Sequence, residues 1–393
     1  MEVDVLRRRL LSVLFALTVT ALAFAPSIAR AAPVKLTPGD FRLAEGAYSP
    51  VIAKLDALLK VTSVPAVLDS ANRDAITGSG CKPGATNQVA AFCWESGDNA
   101  TADWYPQGIT STADAYGNGQ YEGRTAMFAS WYYAGSGANK GVRVSFVDYA
   151  DPAAPKYRHV LLVEPYTNAS GQPDFRAVGV HAGGVFAYGY YLYVADTWGG
   201  FRAFDLRHIW QVATGDKDKI GRQSDGSYHA HDYAYALPQA QKFTASTTNG
   251  VAALRYSAAS LDRTSTPDSV VVPEYGADGA GTRVVRFPID YTDRKFSESA
   301  DGYTHATEAY RVGIKSMQGA TAIDGKFYAS ASAGSGARGS LYTFTATSGP
   351  TRHASALPIG NEDLSYRGPR NQLWTLTEYP GKRFVVAVDP KKF

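Results

Sequence analysis

The segment "MQGATAIDGKFYASASAGSGARGSLYTFT" (317–345) decides how the chain reads. It opens on polar and small residues, turns at Asp324-Gly325 and continues as an alternating apolar–aromatic run. A Gly-rich turn follows, then a second alternating run. Period-two alternation bounded by such turns is the pattern of hairpin-linked strands with one buried face. The same order recurs in "HAGGVFAYGYYLYVADTWGGFRAFDL" (181–206) and "NEDLSYRGPRNQLWTLTEYPGKRFVVAVD" (361–389), and more loosely over 107–148 and 254–290. Between copies stand outer-strand candidates: "YRHVLLVEP", "HDYAYALPQ", "HATEAYRVG" and "TRHASALPIG". Five four-stranded repeats of about 45–75 residues predict an all-β chain, a β-propeller of five blades. Six is the alternative if an insertion hides a weaker copy. The last copy lacks a fourth strand, and the segment around "VAAFCW" (89–94) is the candidate to supply it and close the ring.

Outside the repeats the chain divides simply. Arg7, Arg8 and Arg9 precede an apolar run, and Ala29-Arg30-Ala31 fits a small-x-small cleavage site, so residues 1–31 read as a signal peptide. Residues 32–88 read as an extension carrying one helix over 49–64, where Val51, Ile52, Leu55, Leu58 and Leu59 keep helical spacing. Residues 89–393 are the propeller. Export implies a secreted protein, free of the membrane after cleavage and expected as a monomer.

Composition agrees: 45% hydrophobic with 19% charged residues is globular, and 25 tyrosines beside 38 glycines suit short strands and tight turns. The formal charge of +3 falls to +1 once four arginines and two acids of the leader are removed. That leaves no electrostatic footprint for nucleic acid. The two cysteines, Cys81 and Cys93, stand twelve residues apart and are expected to pair in an oxidising compartment, starting within the extension.

Across these repeats the chain resembles the broad group of secreted β-propellers, and uncharacterised actinobacterial secreted proteins with similar blade openings, over about residues 90–393. The resemblance implies the fold and no particular reaction.

Repetition separates scaffold from site. Acids at the end of the second strand, Asp196, Glu274 and Glu378, are followed across the turn by Arg202, Arg283 and Arg383, with Arg143 in the first copy. Recurrence favours an acid–arginine clamp over a catalytic carboxylate ring. The histidines 159, 229, 231, 305 and 353 open or precede outer strands, so a metal pair at His229 and His231 is disfavoured. Blade openings differ from one another. His181, Glu362 and Asp363 are candidate acid–base groups there, with Gln107, Gln318 and Ser257 as substrate-binding positions and Asp268 as a further acid.

No G-x-S-x-G, H-E-x-x-H, P-loop or EF-hand pattern occurs. The expected function is binding or processing of an extracellular carbohydrate or other small-molecule ligand at a central channel. If an enzyme, a glycoside hydrolase or polysaccharide lyase is favoured. A metal-dependent phosphate or ester hydrolase and a non-catalytic scaffold are the alternatives. The cofactor is open; acids are few for a hard-cation cage, and a channel Ca2+ is the one candidate.

Overall fold

The computed structural model describes residues 31–393; the expected signal peptide lies, except for its last residue, outside them. The chain forms five four-stranded antiparallel blades. Blade I comprises Trp104–Ser111, Ala126–Tyr133, Val142–Asp148 and Lys156–Thr167. Blade II comprises Val185–Tyr188, Tyr191–Asp196, Gly200–Asp205 and Tyr235–Thr247. Blade III comprises Ser260–Asp262, Ser269–Pro273, Arg283–Pro288 and Glu308–Arg311, and blade IV Met317–Ile323, Lys326–Ala331, Arg338–Phe344 and Thr351–Ile359. Blade V takes three strands from the end of the chain, Asn361–Arg367, Gln372–Thr377 and Phe384–Val388. Its fourth, Gln88–Cys93, comes from before blade I. Val385 faces Phe92 and Ala387 faces Ala90 across this closing pair. The ring therefore shuts by joining the two ends of the repeat array, which leaves blade V no open edge.

The Gln-Gly openings have a steric cause. A Cβ on Gly108 would stand 2.7 Å from the Val185 amide of blade II, and one on Gly319 2.6 Å from the Leu364 amide of blade V. One on Gly184 would stand 2.8 Å from Ala258 Cα of blade III. Innermost strands thus approach to backbone contact, and only glycine fits at those crossings. Hydrogen bonds continue the ring: Ser260 Oγ donates to the Ala320 carbonyl at 2.6 Å, and Ser330 Oγ to the Glu362 carbonyl at 2.6 Å. Aromatic residues fill the wedges between blades. Trp94, Trp131, Trp210 and Trp374 are all buried, with Trp94 edge-on to Trp131 at 4.9 Å and to Tyr157 at 5.0 Å.

The extension departs from expectation. The helix ends at Asp56, short of residue 64, and a second one spans Val64–Asp69. Between them Lys60–Thr62 is a strand, and Leu58 is exposed. The segment is not outside the body. Val34–Lys35 pairs with the outer strand of blade III, Phe41–Glu45 with that of blade II, and Arg73–Asp74 with that of blade I. Lys60–Thr62 pairs with Ile209–Gln211 beside blade II. Unpaired edges of the outer strands recruit the extension as a strap, an effect that helical periodicity does not report.

The strap ends at the closing strand, where the Cys81–Cys93 disulfide, with Cα atoms 5.5 Å apart, fixes it. The expected pairing is present.

Candidate functional site

In a four-stranded meander the start of the inner strand and the hairpin between the second and third strands lie on the same face of the ring. On that face the side chains of the openings converge. Gln107, buried, donates from Nε2 to Glu378 Oε2 at 3.0 Å. Gln318, half-buried, donates from Nε2 to Glu362 Oε1 at 3.2 Å. Glu362 and Glu378 are in hydrogen-bonding contact with each other. The two glutamines of the repeat thus hold the two carboxyls of one pair.

Burial pushes the Glu362 carboxyl well above the usual carboxylate range, and the neighbouring Glu378 and Asp363 push it further. Glu378 is also raised, first by burial, with donors including Gln107 and Tyr379 opposing. Two carboxyls in contact cannot both ionise cheaply, so the pair shares a proton. Glu362 is sealed beneath, while Glu378 keeps partial access to solvent.

Glu378 is the acid that the repeat pattern assigned to a clamp. The clamp holds in two blades: Arg202 Nε donates to Asp196 at 2.9 Å, and Arg283 to both oxygens of Glu274 at 2.6 Å. In blade V it is redirected. Arg383 Nε donates to the Glu378 main-chain carbonyl at 2.7 Å and Nη1 to the Asp98 carbonyl at 2.7 Å. The Glu378 carboxylate is left to turn toward Glu362. The sequence signal was Glu362 itself, the acidic opening in the blade that carries Glu378.

Around the pair stands an aromatic wall. Tyr132 stacks on the His181 ring at 4.5 Å and on Tyr105 at 5.7 Å. Burial, then the charge of Glu378, raises Tyr132 to about 12, and the same two causes raise Tyr379 to about 12. His181 is exposed, yet desolvation by the residues packed around it, with the charge of Arg255 adding, lowers its pKa. Trp198 is 66% exposed on this face.

Asp363 occupies the ring axis and is fully buried. Its Oδ2 accepts from Ile109 N at 3.3 Å and Val185 N at 3.4 Å, and Oδ1 from Leu364 N at 2.9 Å. It ties blades I, II and V together. Ser257 accepts from Tyr275 N at 2.9 Å in the opening of blade III. Asp268 is elsewhere. It accepts from Tyr188 OH at 2.7 Å, at the far end of the blade II inner strand, with Arg263 3.7 Å away. The far face also holds Asp114, raised to about 6 by burial against its donors Thr110 and Ser365.

A second constellation resembles a catalytic one and is sealed. Ser145 Oγ lies 3.0 Å from His159 Nδ1, and His159 Nε2 lies 3.0 Å from Asp98 Oδ2. Ser145 and His159 are buried, and Ser145 Oγ also accepts from Trp131 Nε1 at 2.8 Å. No substrate carbonyl can reach that hydroxyl. Asp98 also accepts from Arg143 Nη2 at 2.7 Å and Tyr157 OH at 2.8 Å, with Arg73 Nε at 3.0 Å. It locks the segment after the closing strand to blade I.

Among the described residues no three His, Cys, Asp or Glu side chains gather in a way that could hold a metal ion. His229 lies in a separate hairpin and His231 in the turn after it. A cavity of about 1110 Å3 lies between the strap and blade III and touches this face at Tyr275. It does not include the carboxyl pair, whose contacts define the candidate site better than volume does.

No protein-family model matches the chain, and no curated protein does. Solved structures similar to it include Kuenenia stuttgartiensis hydrazine synthase, at 11% identity and TM-score 0.31 over 71% of this chain and 78% of that one. RS223-β-xylosidase is similar at 10% identity and TM-score 0.29, over 73% and 92%. The GH43_1 enzyme from Xanthomonas citri, complexed with xylotriose, is similar at 8% identity and TM-score 0.31, over 86% and 92%. The five-blade topology rests on the strand pairing described above.

One consequence of the carboxyl pair is measurable. The folded pKa of Glu362 stands above its unfolded value, so the stability linked to it is complete below about pH 4.3 and is lost as pH rises through the folded value. Glu362→Gln mimics the protonated acid. Its melting temperature relative to wild type is expected to climb as pH rises above about 4.3. A difference independent of pH would show that Glu362 is ionised throughout.

Proposed function

We propose that this is an exported protein that binds a saccharide at the mouth formed by the blade openings. The carrying observation is the combination of a proton-sharing Glu362–Glu378 floor with accessible rings above it, chiefly Tyr132, His181, Tyr379 and Trp198. Flat rings suit the C–H faces of a sugar, and amide and carboxyl groups in fixed positions suit its hydroxyls. Glu378, Gln318 and Tyr379 are the polar groups a ligand meets first.

Cleavage is the second reading, favoured by the available proton of the pair. Two carboxylates that hydrolyse glycosides stand about 5–9.5 Å apart, wider than a pair in direct hydrogen-bonding contact. Asp268, on the opposite face, is not at hand to serve as the second acid. Binding is therefore the better-supported reading.

The test is a panel of extracellular polysaccharides scored for retention and for product release. Tyr132→Ala and Trp198→Ala are expected to weaken retention about two- to tenfold each, the size of an aromatic contact of about 0.5–1.5 kcal/mol. In a binding protein there is no release, and His181→Ala lowers retention. In an enzyme Glu362→Gln and His181→Ala abolish release and spare retention. Folded variants that alter neither would overturn the site.

A further inference from the structure

The mouth contains a cation whose side chain has no ion-pair partner among the described residues. Arg255 stands in the opening of blade III, two residues before Ser257, and is half-buried. Its backbone amide is held by Glu274 Oε1 at 3.1 Å, so the residue is fixed where the inner strand begins. The Glu274 carboxylate pairs with the Arg283 guanidinium and makes no ion pair with that of Arg255. The Arg255 guanidinium carbon lies 4.9 Å from the Tyr275 ring centroid and 6.0 Å from that of Trp198. Its Nε is shielded from water and has no hydrogen-bond partner, and the side chain has no ion-pair partner among the described residues. Among the other arginines with a shielded, unpaired nitrogen, Arg73 and Arg143 reach Asp98, Arg383 reaches two carbonyls and Arg338 the Ala356 carbonyl, while Arg294 lies over the Tyr291 ring at 3.5 Å, away from this mouth.

A shielded N–H donor on a guanidinium costs stability unless an acceptor arrives. The fork geometry of arginine fits a planar carboxylate, and the flanking rings hold the fork in one orientation. Glu362 and Glu378 repel such a ligand less than two free carboxylates would, because they are in hydrogen-bonding contact and burial shifts both toward the neutral form. We propose that the saccharide bound at this mouth is an acidic one, and that Arg255 receives the carboxylate of a uronic acid unit between Tyr275 and Trp198. This rests on the saccharide-binding reading above and adds the charge of the ligand.

The experiment is calorimetric titration of the intact mature protein with uronic acid oligosaccharides and with the same oligosaccharides after reduction of their carboxyls. The acidic form is expected to bind about tenfold or more tightly than the reduced form, the size of one hydrogen bond to a charged group. Raising the salt concentration narrows the ratio. Arg255→Gln brings the ratio to about one, and Arg255→Lys, which keeps a point charge without the fork, retains part of it. Thermal melts of both variants check that the ring is intact. Equal affinity for the two forms in wild type, or a ratio that survives Arg255→Gln, overturns the acidic-ligand assignment and leaves saccharide binding standing. Failure of wild type to bind either form overturns both.

Discussion

Removing residues 383–393 is expected to unfold the entire ring rather than to loosen one blade. Val385, Val386 and Val388 of the lost strand are buried to 1% exposure or less. Each contributes about 1.5–3 kcal/mol through burial. Together they rival the net stability of a domain, about 5–15 kcal/mol. Arg383, which reaches back to the Asp98 and Glu378 carbonyls, goes with them. The loss also opens two edges at once, one on Gln372–Thr377 and one on Gln88–Cys93. Circular dichroism of the truncated protein should show no cooperative melt above room temperature. A truncated chain that melts like the full one would mean that closure is not what holds the blades.

Asp98→Ala carries the next largest effect. The buried Arg143 loses its carboxylate, and Tyr157, His159 and Arg73 lose an acceptor. Breaking a buried pair by removing one partner costs about 3–5 kcal/mol. Urea unfolding should report a loss of that order, with Asp98→Asn less affected because it still accepts hydrogen bonds. A change below about 1 kcal/mol, the range of exposed pairs, would refute the anchoring role.

The pH dependence of this cluster runs opposite to that of Glu362. Burial alone would raise the Asp98 carboxyl, but the donors and cations around it hold it well below the usual range. Burial, then the charge of Arg143, lowers His159 to about 3. At neutral pH that imidazole is uncharged, and its hydrogen bond, with the Arg143 and Arg73 guanidiniums, keeps Asp98 ionised. Both folded values are depressed, so the stability they contribute is present at neutral pH. The histidine's share is lost as pH falls from about 6.5, where the unfolded imidazole takes up its proton, and the aspartate's only as pH falls below about 3.9.

What could be read from the sequence follows from what repeats. The alternation around 317–345 carried the strands, because one face of each must meet a neighbouring blade. The closing segment near "VAAFCW" was legible because the last copy ends one strand short. The Gln-Gly openings marked equivalent positions for a steric reason: the glycine permits the inner crossing and the glutamine faces the mouth. Glu378 escaped because its clamp partner is present; what changes is the guanidinium, which bonds the carbonyl in place of the carboxylate. No residue identity encodes that choice. Asp268 stands at the other mouth because it precedes a second strand, and an inner strand of about six residues carries the chain some 20 Å across the ring. The strap pairings escaped because edge coverage depends on which outer strands lie open, not on local periodicity.

The most direct measurement is carbon-13 NMR of the side-chain carboxyls while a retained saccharide is titrated in. The Glu362 and Glu378 resonances are expected to shift together, since they share a proton and Glu378 faces the ligand, while Asp268 stays fixed. A saccharide that moves Asp268 and leaves both glutamates unchanged would place the binding site on the opposite face and contradict the account.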